Sequence, residues 1–296
     1  MRKLENVRVV ITGVGIKPIG HVFHDIITGE PSHTAVFDSE GTEYKANIGA
    51  ATAYECVKQG AIVHIVSRTE KNLQIVKNWI EKDIPEAKVE MSAVDLSDEE
   101  QIKNWVQSLH DDKALYWVQS AGIGAGTVKI KDDQPYTKFE DSTMEQLDAE
   151  LSILKNTFAI AKALMSKFEH QQETRIAIIS SMAAIRSFTQ GAIHCASKGG
   201  LSRFINALML DVNKRNIFIS DIRPGLVDTG AYDSDIQMEN GPIQGGKGYG
   251  YDYTKENIPM MSAGSVGEII ADILASKAHI TSVNMVARGQ WPHEHS

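Results

Sequence analysis

The chain has 296 residues, 42% of them hydrophobic, with a formal net charge of −8 and a pI near 5.7. That length buries a full core and suits one domain with insertions better than two. The acidic balance and the lack of a Lys/Arg cluster exclude a nucleic-acid partner of the usual kind. The two cysteines, Cys56 and Cys195, each sit in a segment of helical pattern, so neither a disulfide framework nor a cysteine metal site is expected. No apolar run is long enough to cross a bilayer, and the N-terminal residues enter a strand without signal-peptide character, so a cytoplasmic, reducing setting is expected.

Short Val- and Ile-rich runs alternate with longer segments of helical period, the pattern of βαβ units around a parallel sheet. The first strand, near 7–12, ends in Ile11-Thr12-Gly13-Val14-Gly15, yet the helix that should follow opens only at Asn47-Ile48-Gly49 and runs near 48–59. Residues 16–46 carry the turn signals KPIG, GEPSH and DSEG and read as a loop insertion. With that segment excised, strand, glycine turn and helix N-terminus become continuous, which is the geometry in which backbone N–H groups face a pyrophosphate. Thr12, Gly13, Gly15, Ile48 and Gly49 are therefore candidate nucleotide contacts. Because the insertion emerges where the pyrophosphate would sit, it is expected to cap the cofactor or to pack against another subunit.

The second strand, near 61–67, ends in Ser67-Arg68. An acid there would accept from a ribose 2′-hydroxyl and select NAD, whereas a guanidinium meets a 2′-phosphate bidentately. Ser67 and Arg68 thus point to NADP, with NAD as the alternative and a solvated surface Arg as the plain reading. A helix near 69–80 leads to a third strand near 88–94 that closes on Asp95-Leu96, followed by a helix near 98–109 with acids in its first turn. The fourth strand, near 114–119, runs into Gln119-Ser120-Ala121-Gly122, and a long helix follows near 143–168.

The fifth strand, near 175–180, leads to Ser181, and the next helix, near 191–214, opens with Ala192-Ile193-His194-Cys195-Ala196-Ser197-Lys198. Residues four apart lie on one helix face, so His194 and Lys198 address one pocket. A strand near 216–222 runs into Pro224-Gly225-Leu226-Val227-Asp228-Thr229. The stretch 228–262, with GPIQGGKGYGYDY, reads as a mobile substrate loop, and a helix near 265–276 and a strand near 282–287 complete the chain.

The split glycine turn, Ser181 thirteen residues before position 194, Lys198 four after it and the P-G-x-V-x-T turn together resemble the short-chain dehydrogenase/reductase family over nearly the whole chain. The resemblance implies a single Rossmann-type α/β domain, doubly wound, with a seven-stranded parallel sheet and helices on both faces. It implies an NAD(P)H-dependent oxidoreductase that interconverts a small-molecule carbonyl and a secondary alcohol. A homo-oligomer, dimer or tetramer, packed through the two long helices, is implied as well. On this basis Asp95, with Leu96 beside it, accepts from the adenine amino group, and Ala121 and Gly122 line the nucleotide. Pro224, Gly225, Val227 and Thr229 pack beside the nicotinamide, Ser181 holds the substrate oxygen, and Lys198 holds the ribose.

Three departures stand out against the family pattern. His194 occupies the position of the catalytic Tyr, Ile153 that of a catalytic Asn with Asn156 three residues on, and Gln119-Ser120 replace the two Asn of the N-N-A-G turn. His194 is the candidate proton donor, although its ring reaches less far than a phenol and the Lys198 charge opposes a protonated imidazole. Tyr136, Tyr232, Tyr249, Tyr251 and Tyr253 are surrogate donors, with simple packing as their plain reading. Restoring Tyr at 194 is expected to raise activity where the rest of the geometry is intact. The alternative class is a nucleotide-binding relative with a non-redox or lost activity. The His21/His24 and His293/His295 pairs lack acidic or cysteine partners at ligand spacing, and no metal is expected.

Overall fold

The computed structural model describes residues 3–25, 27–110, 112–122, 139–188, 191–231, 233 and 259–290. In chain order the first strands and helices are β1 (Val7–Thr12), β2 (Ile16–Pro18), β3 (Ala35–Phe37), β4 (Glu43–Ala46), α1 (Ile48–Lys58), β5 (Ile62–Ser67), α2 (Glu70–Asp83), β6 (Lys88–Ala93), α3 (Glu99–Ser108) and β7 (Ala114–Gln119). They are followed by α4 (Met144–Phe168), β8 (Thr174–Ile179), α5 (Ala192–Val212), β9 (Ile217–Pro224), β10 (Val227–Asp228), β11 (Met261–Ser262), α6 (Ala263–Ala275) and β12 (Ser282–Met285). The seven expected strands and six expected helices stand within a few residues of their predicted limits.

Seven strands form one parallel sheet in the order β12-β9-β8-β7-β1-β5-β6. Strand alternation assigns its two faces. Val9 and Ile11 of β1 enter a core with Ala50, Ala53, Val266 and Ile270 from α1 and α6, while Val10 enters the opposite core with Ile102, Ile160 and Leu201 from α3, α4 and α5. Each fully buried Ile of this kind contributes about 1.5–3 kcal/mol. On the first face α1 and α6 meet at Gly267, where a Cβ would lie 2.8 Å from the Ala51 carbonyl carbon. The winding direction reverses between β1 and β7, so the crevice at the carboxyl ends of those strands is the natural ligand site of such a sheet.

The insertion is not a loop. Its β2, β4 and β3 make a three-stranded antiparallel sheet, in that order, with Ile16 opposite Ala46 and Val36 opposite Tyr44. Ile16, Val36 and Ala46 are buried in the same core as α1 and α6, and Thr34 accepts from the N–H of Gly264 at the start of α6 (2.7 Å). Strands of three and four residues are too short for an alternation pattern to be read in sequence, which is why turn signals dominated there. Of the predicted loop at 228–262, residues 234–258 lie outside the described residues; its ends are joined by parallel pairing of β10 with β11. Among the described residues no helix is long and apolar enough to cross a membrane.

Candidate active site

The split glycine turn is closed by Asn47. Its side-chain oxygen accepts from the N–H groups of Gly15 (3.1 Å) and Ala50 (2.9 Å), its amide donates to the Gly13 carbonyl (2.7 Å), and its own N–H donates to the Gly15 carbonyl (3.0 Å). One residue thus caps α1 and fastens both banks of the insertion, so the helix meets β1 as though residues 16–46 were absent. Gly13 has φ +84°, and a Cβ there would lie 2.2 Å from the backbone of Ala121, so the turn after β1 and the turn after β7 pack backbone to backbone. Gly49 is closed in likewise by the Gly13 carbonyl and Ser120.

Two adjoining cavities open at the carboxyl ends of the strands. The larger, about 330 Å³, is lined by Gly13, Val14, Asn47, Ser67, Arg68, Asp95, Leu96, Ser97, Ser120, Ala121, Gly122, Ser152, Ile153 and Asn156. The smaller, about 180 Å³, is lined by Ile48, Ile179, Ser180, Ser181, His194, Lys198, Pro224, Gly225, Val227, Thr229 and Ala231, and shares Asn47, Ser120, Ala121 and Gly122 with its neighbour. The predicted site residues therefore converge, with three exceptions. Thr12 is buried and its hydroxyl is engaged with Gln119 and the Val118 carbonyl, and Gly15 and Gly49 shape the turn without lining either cavity. No residue of 16–46 is among those that line the two cavities.

A dinucleotide fits this arrangement. The first N–H groups of α1, those of Ile48 and Gly49, have no protein acceptor among the described residues, and Ile48 lines the smaller cavity. Ser67 and Arg68 stand at the far end of the larger cavity with Asp95, whose carboxyl the Ser97 hydroxyl and N–H, with Arg68 nearby, hold below the usual carboxylate range.

In the smaller cavity Ser181 accepts from the N–H of Ala183 (3.0 Å), which leaves its hydroxyl hydrogen for a substrate oxygen. Burial holds the Lys198 ammonium below the ordinary lysine value, against the opposing pull of Glu150 and Asp221. Behind it the buried Asp221 is engaged by Ser180, Ser202 (2.6 Å) and Arg223 (2.7 Å).

The residue that sequence reasoning missed is Glu150. On α4 it lies one turn before Ile153, 6% exposed, and both its carboxylate oxygens lie 3.1–3.2 Å from Nδ1 of His194, itself 8% exposed. A carboxylate can only accept, so Nδ1 carries the proton and Nε2 is the nitrogen left to the cavity. Glu150 thus contacts His194 and also opposes the effect of burial on Lys198. The signal was present: Gln146, Glu150, Ile153 and Thr157 recur at helical spacing on the buried stripe of α4, where an acid has to have a partner. Ile153 is buried and closes over Gly122. The surrogate donors Tyr136, Tyr232, Tyr249, Tyr251 and Tyr253, together with His293 and His295, lie outside the described residues.

Comparison with known proteins places this chain in a family. The family model of short chain dehydrogenases matches residues 43–240, and the chain belongs to that family. A sepiapterin reductase of Chlorobaculum tepidum is 32% identical over 124 residues, 40% of this chain and 47% of that protein, so the match spans under half the relative's length. An NADP-dependent 3-hydroxy acid dehydrogenase of Schizosaccharomyces pombe is 26% identical, covering 64% of this chain and 70% of its own. Among solved structures, L-sorbose reductase of Gluconobacter frateurii with NADPH and L-sorbose superposes with a TM-score of 0.70 at 20% identity, over 98% of each chain. An NADPH-bound short chain oxidoreductase of Pseudomonas aeruginosa PAO1 with an atypical catalytic center gives 0.68 at 17% identity, over 97% of each.

Proposed function

We propose that this family member is an NADP(H)-dependent reductase or dehydrogenase that uses His194, oriented by Glu150, as its proton-transfer group. The observation that carries the reading is the Nδ1 contact of His194 with Glu150, made in the same cavity as Ser181 and Lys198 and next to the cavity that holds Arg68 and Asp95.

A bound nicotinamide supplies or accepts the hydride. Ser181 donates to the substrate oxygen and fixes it near Nε2 of His194. In reduction His194 gives its Nε2 proton to that oxygen; in oxidation it takes the proton back. Glu150 keeps the ring in one tautomer and balances the positive charge on the imidazolium, the part a carboxylate plays behind a catalytic His in hydrolases. Lys198 holds the ribose hydroxyls and adds positive charge near the developing alkoxide. Ala121 and Gly122 wall both halves of the cofactor site. Arg68 with Ser67 at the nucleotide end supports NADP over NAD, and the NADP named for the fission-yeast relative agrees.

The two free cysteines accord with a reducing cytoplasm, and the exposed Phe158 and Leu210 on the long helices accord with a homo-oligomer of one dinucleotide-binding domain per chain; sedimentation tests the latter. Fluorescence titration with NADPH and loss of NADPH absorbance over a ketone panel test the enzyme. His194→Ala should keep NADPH affinity and lower turnover about 100-fold or more. Equal turnover in that variant overturns the role of His194, and NADPH binding without turnover on any substrate would favour a non-redox role.

A further inference from the structure

Lys45 of β4 is fully buried, yet no catalytic reading uses it. Its ammonium meets Asp228 (2.6 Å), Asp233 (2.8 Å) and the His21 carbonyl (2.5 Å), above the Phe23 ring. The second oxygen of Asp228 accepts from the Ser32 hydroxyl (2.9 Å), and that of Asp233 from the Gly20 N–H (2.9 Å). Each carboxylate is thus held on both oxygens by residues of 16–46. Between the two acids lie Thr229, Gly230, Ala231 and Tyr232, the last outside the described residues. Thr229 and Ala231 line the cavity that contains His194 and Lys198, while Gly230, at φ +76°, lies so near the insertion that a Cβ would stand 3.0 Å from Cβ of Lys17.

We infer that the three-stranded insertion is a positioning module for the turn after β9, with Lys45 as its positioning residue: it holds Thr229 and Ala231 against the reaction cavity before any ligand arrives. The physical case is the balance of charge. A buried ammonium needs compensation from acceptors, and here both its carboxylates come from one short segment of the cavity wall, so the ion cluster is satisfied only when that segment is docked. A wall ordered in advance does not have to be ordered at the cost of binding energy when cofactor and substrate enter. The insertion that interrupts the nucleotide turn at one end of the crevice therefore acts on the nicotinamide end. The consequence for catalysis rests on the oxidoreductase reading above; the docking itself does not.

The test separates the two. Asp233→Ala removes one carboxylate while Lys45 keeps Asp228, and Lys45→Met removes the hub. Amide hydrogen exchange of the ligand-free protein is expected to rise at least tenfold at 228–231 in both variants, with β1 and β7 unchanged. In steady-state assays KM is expected to rise about tenfold with kcat within about twofold, because Asp233 and Lys45 touch no reacting atom. If Lys45→Met does not fold, Asp233→Ala decides alone. Unchanged exchange at 228–231, or an equal rise throughout the sheet, overturns the inference. Should the wild-type protein turn over nothing, the oxidoreductase reading falls while the exchange result still judges the docking.

Discussion

The Ser197 hydroxyl donates to the main-chain carbonyl of Glu150 across 2.6 Å, so α5, which carries His194, is pinned to the very residue of α4 whose carboxylate meets that imidazole. Acid and base thus keep their separation through a backbone contact of their own helices. Glu150→Gln keeps the shape and an accepting oxygen but removes the charge. It is expected to lower kcat about 10- to 100-fold with the NADPH dissociation constant within about threefold. Steady-state rates beside a fluorescence titration check this, and a kcat equal to wild type would leave Glu150 a merely structural partner.

From the sequence resemblance alone, Tyr at position 194 is expected to restore the donor of the resembled enzymes and to raise activity where the rest of the geometry is intact. The contact of His194 with Glu150 argues for the opposite outcome. A phenol there has no nitrogen to offer Glu150, so the buried carboxylate would lose its Nδ1 donor and stand as an uncompensated charge beside the proton-transfer position. His194→Tyr is therefore expected to lower turnover, and adding Glu150→Gln to recover part of the loss. NADPH oxidation rates of the single and double variants decide; a gain in the single variant contradicts the pairing.

The sheet was legible because strands such as β1, β5 and β8 are Val- or Ile-rich runs and the covering helices carry apolar stripes, patterns that survive without knowledge of contacts. His194 and Lys198 were legible as a pair because four residues on a helix bring side chains together whatever the fold. Glu150 was not, since its partner is forty-four residues away and only packing of α4 on α5 joins them. The same holds for Lys45 and Asp228, separated by 183 residues, and for the short strands of the insertion, whose order comes from burial of Ile16, Val36 and Ala46 against α1 and α6. Thr12 misled for the opposite reason: its place in the motif was right, but its hydroxyl is spent inside the sheet on Gln119.

Asn47 makes the interrupted turn behave as a continuous one. Asn47→Ala removes an N-cap and two further bonds to Gly13 and Gly15, at a cost of about 1–2 kcal/mol in stability. Because α1 then loses its fixed entry, NADPH affinity is expected to fall about tenfold as well. Thermal unfolding and fluorescence titration read the two effects, and loss of stability with intact affinity would detach Asn47 from the nucleotide site.

The proposed NADP preference rests on Arg68. It lines the larger cavity beside Ser67 and Asp95, and a neutral side chain there would leave a 2′-phosphate without its guanidinium. Arg68→Ala is expected to weaken NADPH binding about 10- to 100-fold and NADH binding by less than about threefold. Equal losses for the two coenzymes would mean that Arg68 contacts neither phosphate selectively.

Lys198 sets function against stability. Burial lowers its affinity for a proton in the folded chain relative to the ordinary value of 10.5, so below the folded pKa the protein carries a desolvated ammonium that the unfolded chain does not. Between the folded and unfolded values the unfolded chain binds more protons, and stability rises with pH across that window. Lys198→Met removes the penalty, while Glu150 keeps His194 and Asp221 keeps Arg223 as partners. The variant is expected to lose turnover about 100-fold or more yet to melt at or above the wild-type temperature at neutral pH, with the difference shrinking as pH climbs toward 10.5. Melting curves at stepped pH check the sign: a variant less stable than wild type at neutral pH, or a gap that widens on the alkaline side, would show that the Lys198 ammonium is held by its neighbours more firmly than its burial opposes it.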